Sequence, residues 1–187
     1  MPKSSPVRKR AATVAVCAIA AAVALPASAL AGSGGVGPDS PAPVPVAGSK
    51  AKLLPSGQAR PPADAPLEVQ RAIQAANEID DAGYCTGGGH KGHCFDCSGA
   101  VSHVLGPEGA DILASPLDSG SLRKWGERGR GTWITVYTNP GHAYVVIAGL
   151  RFDTSVPDDG ASGPGWSKDV KAGLVNGPFQ KRHYLGL

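Results

Sequence analysis

Three cysteines lie close together in the middle of the 187-residue chain, at Cys85, Cys94 and Cys97. The fourth cysteine, Cys17, lies in an N-terminal segment that we expect to be removed as a signal peptide, so the exported chain has three. In an oxidising compartment, an odd number of cysteines leaves one free or paired with another molecule. We expect Cys85 and Cys94 to form a disulfide that closes the Gly-rich segment between them, with a loop-closure stabilisation of roughly 2 to 3 kcal/mol. Cys97 is then the thiol that remains available for chemistry.

The residues around Cys97 favour a reactive thiol. The run Asp96-Cys97-Ser98-Gly99 leads from a Gly-rich loop into apolar residues at helical spacing, so a helix should begin near Cys97. The positive end of the helix dipole lowers the pKa of such a thiol below its usual value of roughly 8.5, and the thiolate is the nucleophilic form. The position therefore favours nucleophilic catalysis.

A thiolate nucleophile needs a partner that accepts and later donates a proton, and histidine does both near neutral pH. His142 directly follows the turn Asn139-Pro140-Gly141 and opens a predicted strand, so it can be directed over a helix N-terminus. A structural or surface role for His142 is the alternative. The other four histidines are more easily assigned to a loop, a helix surface or a terminal strand: His90, His93, His103 and His183.

The periodicity of apolar residues predicts the elements that must position these groups. Three helices are expected, at Leu67–Ile79, from near Cys97 to Gly106-Pro107, and around Ser119–Trp125. Four strands are expected, at Thr132–Thr138, His142–Ala148, Arg151–Ser155 and Phe179–Leu185. Helices followed by hairpin-connected strands predict an α+β domain, with the Cys97 helix packed on an antiparallel sheet.

The N-terminal third of the chain has a different composition. Residues 1–31 combine basic residues, an uncharged apolar run of about 15 residues and small residues, which is typical of a secretory signal peptide cleaved after Ala29 or Ala31. Residues 32–64 are dense in Pro and Gly and predict an extended linker, so residues 65–187 form the single domain.

The charge of the chain changes when the leader is removed. Four of the 18 basic residues lie in the leader, whereas all 15 acidic residues lie beyond it. The exported chain is therefore nearly neutral, and its charge gives no reason to expect nucleic-acid binding or binding to an anionic membrane. We expect a secreted, extracellular monomer without a stable membrane anchor.

Together these residues resemble the NlpC-type family of cell-wall cysteine endopeptidases. The family pattern is a Tyr, two residues and a Gly-Gly pair, then Asp-Cys-Ser-Gly opening a helix, then Gly-His opening a strand. The matching residues here are Tyr84-Cys85-Thr86-Gly87-Gly88, Asp96-Cys97-Ser98-Gly99 and Gly141-His142-Ala143-Tyr144. The resemblance covers most of the region from Tyr84 to Ser155.

The resemblance implies a compact papain-like fold and a thiol peptidase that acts on peptidoglycan peptides containing D-amino acids, commonly between D-glutamate and a diamino acid, without a cofactor. It implies Cys97 as the nucleophile, His142 as the general base and acid, and a third polar residue on the next strand. Asp153 is favoured for that third position, and Thr154 would replace it if the hairpin register changed by one residue. The substrate-binding residues implied by the resemblance are Tyr84, Asp96 and Ser98.

Three alternatives remain open at this point. The cysteines and histidines between Cys85 and Cys97 could bind a metal ion, although only one Cys-x-x-Cys pair is present. The domain could instead be an inactive wall-binding module of the same fold. The same Cys-His pair could also transfer an acyl group to an amine instead of water.

Overall fold

A computed structural model describes residues 49–89, 93–156, 163–171 and 177–187. The predicted leader, most of the predicted linker and His90 lie outside these residues. The described helices are α1 (Leu67–Glu78), α2 (Cys97–Leu105) and α3 (Ser119–Leu122). The first two agree closely with the prediction, and α3 is shorter than expected. No described helix is both long and apolar enough to cross a membrane.

Six strands form one antiparallel sheet in the order β5-β10-β6-β7-β8-β9. These strands are β5 (Glu127–Arg128), β6 (Ile134–Asn139), β7 (His142–Ile147), β8 (Leu150–Asp153), β9 (Gly165–Ser167) and β10 (Gln180–His183). Four of them, β6, β7, β8 and β10, lie where the sequence predicts strands. Helices packed on an antiparallel sheet make the described domain α+β, as predicted.

The core lies between one face of this sheet and the helices. In β7, Val145 and Ile147 are fully buried in the core, and Phe152 of β8 joins them. Val101 and Val104 of α2 lie in the same cluster, so the helix that begins at Cys97 rests directly on the central strands. Burial of these side chains fixes the position of α2 relative to β7.

A short ribbon precedes α1 and consists of β1 (Lys52–Leu53) and β2 (Ala59–Arg60). The side-chain amide of Asn77 accepts from the N–H of Ala59 and donates to its carbonyl oxygen, at 2.9 and 2.8 Å. The N–H of Ala51 donates to the carbonyl of Ala148. Residues 51–60 therefore belong to the folded domain, where composition predicts an extended linker.

Candidate active site

The disulfide expected in the Gly-rich loop is present. Cys85 and Cys94 are bonded, and Cys97 is a free, partly exposed cysteine. Around this bond, β3 (Gly83–Tyr84) pairs in parallel with β4 (Cys94–Phe95). The pairing holds the loop beside the start of α2, so the disulfide stabilises the backbone on one side of the free thiol.

Asp96 is the N-cap of α2 and connects the helix to the loop. Its Oδ1 accepts hydrogen bonds from the N–H of Gly99 at 2.6 Å and from the hydroxyl of Ser98 at 3.0 Å. Its Oδ2 accepts from the N–H of Gly87 at 2.9 Å. An N-cap acceptor satisfies a helix N–H that has no intrahelical partner. Both carboxylate oxygens therefore fix the backbone on either side of Cys97.

Close contact between backbones explains the glycines of this region. A Cβ atom on Gly99 would collide with the carbonyl oxygen of Gly88, and one on Gly89 would collide with the backbone of Gly99. Gly87 and Gly89 also have φ values of +75° and +99°, which favour glycine. The Gly-rich loop therefore packs directly on the first turn of α2.

The turn before β7 positions His142. Pro140 and Gly141 form the two-residue connection between β6 and β7, and Asn139 is paired with His142 across it. The side-chain oxygen of Asn139 accepts from the N–H of Gly141 at 3.0 Å and from the N–H of His142 at 2.8 Å. This buried Asx turn sets the backbone from which the imidazole projects.

Asp153 lies beside His142 and is the third residue of the candidate site. Its Oδ1 lies 2.8 Å from Nε2 of His142, and its side chain is completely buried. The tight turn at Ala148 and Gly149, both with positive φ, sets the register in which Phe152 pairs with Val145. Phe152 points into the core, so the next residue, Asp153, projects from the opposite face, as His142 does.

The Asp153 carboxylate is held by more than the imidazole. The N–H of Ser155 donates to Oδ1 at 3.1 Å, and the Ser155 hydroxyl donates to Oδ2 at 2.8 Å. The Nε of Arg151 lies 3.8 Å from Oδ2. A buried carboxylate stays ionised only when charges or donors replace its water shell. Ser155, His142 and Arg151 supply them.

Cys97 and His142 interact strongly enough that each shifts the pKa of the other. Because Nε2 faces Asp153, Nδ1 is the ring nitrogen available to the sulfur. Burial lowers the pKa of His142, but the hydrogen bonds to Asp153 and Cys97 and their negative charges prevail and raise this pKa to about 9. The ring is 7 % exposed and packs edge-on against Phe179, which limits the access of water.

The pKa of the Cys97 thiol shifts in the opposite direction, downwards. Burial raises the pKa of Cys97, but the hydrogen bonds from His142 and from the N–H of Ala143, together with the positive imidazolium, lower it below the ordinary thiol value. The Asp96 carboxylate opposes this effect only in part. The two shifts favour a thiolate–imidazolium pair at neutral pH, the reactive form of a Cys-His pair.

Tyr84 and Ser98 lie beside this pair. Tyr84 is 43 % exposed and pairs with Phe95 of β4, and partial burial and the negative charges of Cys97 and Asp96 raise its pKa. Ser98 follows Cys97 in α2 and donates to Asp96. The structure thus brings together all six predicted site residues. Sequence reasoning missed Asn139 and Ser155, although the Asn-Pro-Gly turn was a signal for the former.

The described residues are poorly arranged to bind a metal ion. The disulfide occupies two of the three thiols that a Cys-rich site would use, and disulfide sulfurs are not thiolate ligands. In the parts of the chain that the structure describes, no group of three or more His, Cys, Asp or Glu residues is arranged to hold a metal ion. The described residues therefore give no support to the metal-binding alternative.

No protein-family model matches the chain, and comparison with curated proteins finds no significantly similar sequence.

Proposed function

We propose that this protein is a secreted cysteine peptidase that hydrolyses peptide bonds in peptidoglycan, with Cys97 as the nucleophile. Two observations carry the proposal: Cys97 and His142 shift the pKa of each other, and Nε2 of His142 lies 2.8 Å from the buried Asp153 carboxylate. The substrate class comes from the resemblance of the three motifs to the NlpC-type family and from the export signal. The same resemblance supports a papain-like arrangement of the helices and sheet.

In the proposed reaction, the Cys97 thiolate attacks the carbonyl carbon of the scissile amide and the carbonyl oxygen becomes an oxyanion. The N–H of Cys97 is among the first N–H groups of α2, which lack intrahelical partners, so it can donate to that oxygen. In this proposal the exposed Tyr84 side chain, which the resemblance assigns to substrate binding, contacts the substrate. The positive end of the helix favours the negative charge that develops.

Collapse of the oxyanion breaks the C–N bond, and the imidazolium of His142 gives its proton to the leaving amine. A thioester on Cys97 remains. Neutral His142 then removes a proton from water, the hydroxide attacks the thioester, and the thiolate leaves as the new carboxylic acid forms. Asp153 stabilises the imidazolium at both stages and keeps the ring oriented. No cofactor enters these steps.

The test is digestion of purified peptidoglycan by the wild-type protein and by Cys97→Ala, with mass analysis of the soluble fragments. We expect fragments from the wild type alone, and the new ends name the bond. The rate should fall on the alkaline side as the pH passes the His142 pKa of about 9, because the neutral imidazole no longer protonates the amine. Tight wall binding with no fragments from either protein would favour the inactive-module alternative.

A further inference from the structure

Basic residues are concentrated at the β5 end of the sheet. Residues 123–130 and 180–183, here called the basic edge, contain six Lys or Arg residues and one acidic residue. The remaining described residues contain seven Lys or Arg and eleven Asp or Glu residues. The exported chain is nearly neutral in total, but the basic edge has a net positive charge and the remaining described residues have a net negative charge. Such a separation produces a local positive potential.

The charges of this edge are available to a ligand. Lys124, Arg128, Arg130 and Lys181 are exposed. The ion pairs found among the described residues both involve Asp153, so none of these four side chains lies within 4.0 Å of an acidic group of the described chain. Solvent-exposed cations that form no ion pair are the groups that an anionic polymer can reach without first breaking one.

The strand pairing brings like charges together. Arg128 of β5 stands directly opposite Arg182 of β10, an arrangement that costs stability in an antiparallel pair. Arg182 is buried and donates to the carbonyl oxygens of Trp125 and Gly126 at 2.6 and 2.8 Å, which leaves Arg128 exposed beside it. A groove of about 270 Å³ lies here, lined by Arg128, Gln180, Lys181 and Arg182.

Two further contacts restrain the cations around this groove. The Nε of Arg130 donates to the hydroxyl of Tyr137 at 3.1 Å, and the Nζ of Lys181 lies 6.0 Å from the centre of the same ring. Contacts of this kind reduce the side-chain entropy that would be lost when a ligand binds. The basic edge is therefore partly preorganised.

We propose that the basic edge binds a linear phosphodiester polymer of the bacterial cell wall and holds the peptidase domain at its substrate. Phosphodiesters carry regularly repeated negative charges, and arginine donates to phosphate oxygens through paired N–H groups. A polymer engages several cations at once and releases its counterions, so the affinity depends steeply on salt. The wall location rests on the proposed function, whereas the binding itself uses none of the residues assigned to catalysis.

The test measures binding of the full exported chain, carrying Cys97→Ala to prevent digestion, to poly(glycerol phosphate) at several salt concentrations. The double variant Arg128→Gln/Lys181→Gln should bind about 25-fold more weakly at low salt, since each basic residue at an anionic surface contributes roughly a fivefold factor. Its affinity should also depend less on salt. The matched control is Lys52→Gln/Lys168→Gln, which removes the same charge outside the basic edge and should bind as the parent does.

A second arm uses purified walls before and after removal of their phosphodiesters with hydrofluoric acid. Binding that falls after this treatment supports the proposal. Equal binding to both walls, equal binding to polyglutamate of matched charge, or equal loss of affinity in the two double variants would overturn it. If Cys97→Ala binds the polymer but the wild-type protein, assayed separately on peptidoglycan, releases no peptide fragments, this inference is retained and the proposed peptidase activity is removed.

Discussion

Replacing the Asp153 carboxylate by an amide should uncouple the thiol from its base without moving either. In Asp153→Asn, the amide oxygen can still accept from Nε2 of His142 and from the N–H of Ser155. The amide N–H can donate to the Ser155 hydroxyl, which donates to Oδ2 in the wild type, so the geometry is retained while the charge is lost. The pKa of His142 is raised from 6.5 to about 9 by Asp153 and Cys97 together. At about 1.4 kcal/mol for each pH unit, this rise corresponds to about 3 kcal/mol.

If Asp153 supplies about half of that free energy, the ratio of the thiolate–imidazolium pair to the neutral thiol–imidazole pair falls about 10- to 20-fold in the variant, and the loss of thiolate is seen near neutral pH. Iodoacetamide alkylation measures this population without a substrate, because only the thiolate reacts appreciably. The rate should be followed from pH 4 to 10, with peptide mass mapping to count modification of Cys97 alone. The variant should need a higher pH to reach half of its maximal rate.

The matched control is Asp111→Asn, which makes the same chemical change at an exposed residue outside the site. Asp111 has a φ of +55°, a conformation that asparagine tolerates, so the fold should be unaffected. Its alkylation profile should overlay that of the wild type. If Asp153→Asn folds normally and its alkylation profile also overlays that of the wild type, the carboxylate does not sustain the ion pair. The role assigned to the contact between Asp153 and His142 is then wrong.

Three other substitutions test the supports of the site. Ser155→Ala removes one of the donors to the buried carboxylate and should lower kcat/KM for wall-peptide release about fivefold, with recovery in Ser155→Thr; unchanged kinetics would remove Ser155 as a positioning residue. The double variant Cys85→Ser/Cys94→Ser opens the loop and should lower Tm by about 10 °C, from about 2.7 kcal/mol of loop-closure free energy, and calorimetry showing no change would contradict this. Gly99→Ala should destabilise the fold by about 1 to 3 kcal/mol in urea unfolding, whereas Gly83→Ala, where a Cβ meets only ordinary contacts, should not; equal effects would refute the packing argument.

The elements predicted correctly are those with strong local signals. The twelve residues of α1 repeat apolar residues on one face, and β7 is a run of apolar and β-branched residues that follows a recognisable turn. The missed strands have no such signal. The two-residue strands β1 and β2 depend on Asn77, which is 18 residues from Ala59 in sequence, and β9 is defined by its pairing with β8. Non-local hydrogen bonds of this kind produce no periodic pattern of residues in the sequence.

The residues of the candidate site also divide into those with a local sequence signal and those that depend on non-local contacts. The Cys97 and His142 positions were recognisable because a helix start and a turn flank them in sequence. Asp153 depended on hairpin register, which the positive φ of Ala148 decided, and alanine gives little indication of that conformation. Ser155 was not predicted because its role requires knowing that Asp153 is buried and needs a second donor.

The measurement that tests the central claim most directly is digestion of peptidoglycan in water enriched in oxygen-18. Hydrolysis through a thioester on Cys97 predicts fragments from the wild type whose new carboxyl ends carry the label, and no such fragments from Cys97→Ala. New ends that lack the label would indicate acyl transfer to an amine, and labelled fragments released equally by Cys97→Ala would show that Cys97 is not the nucleophile.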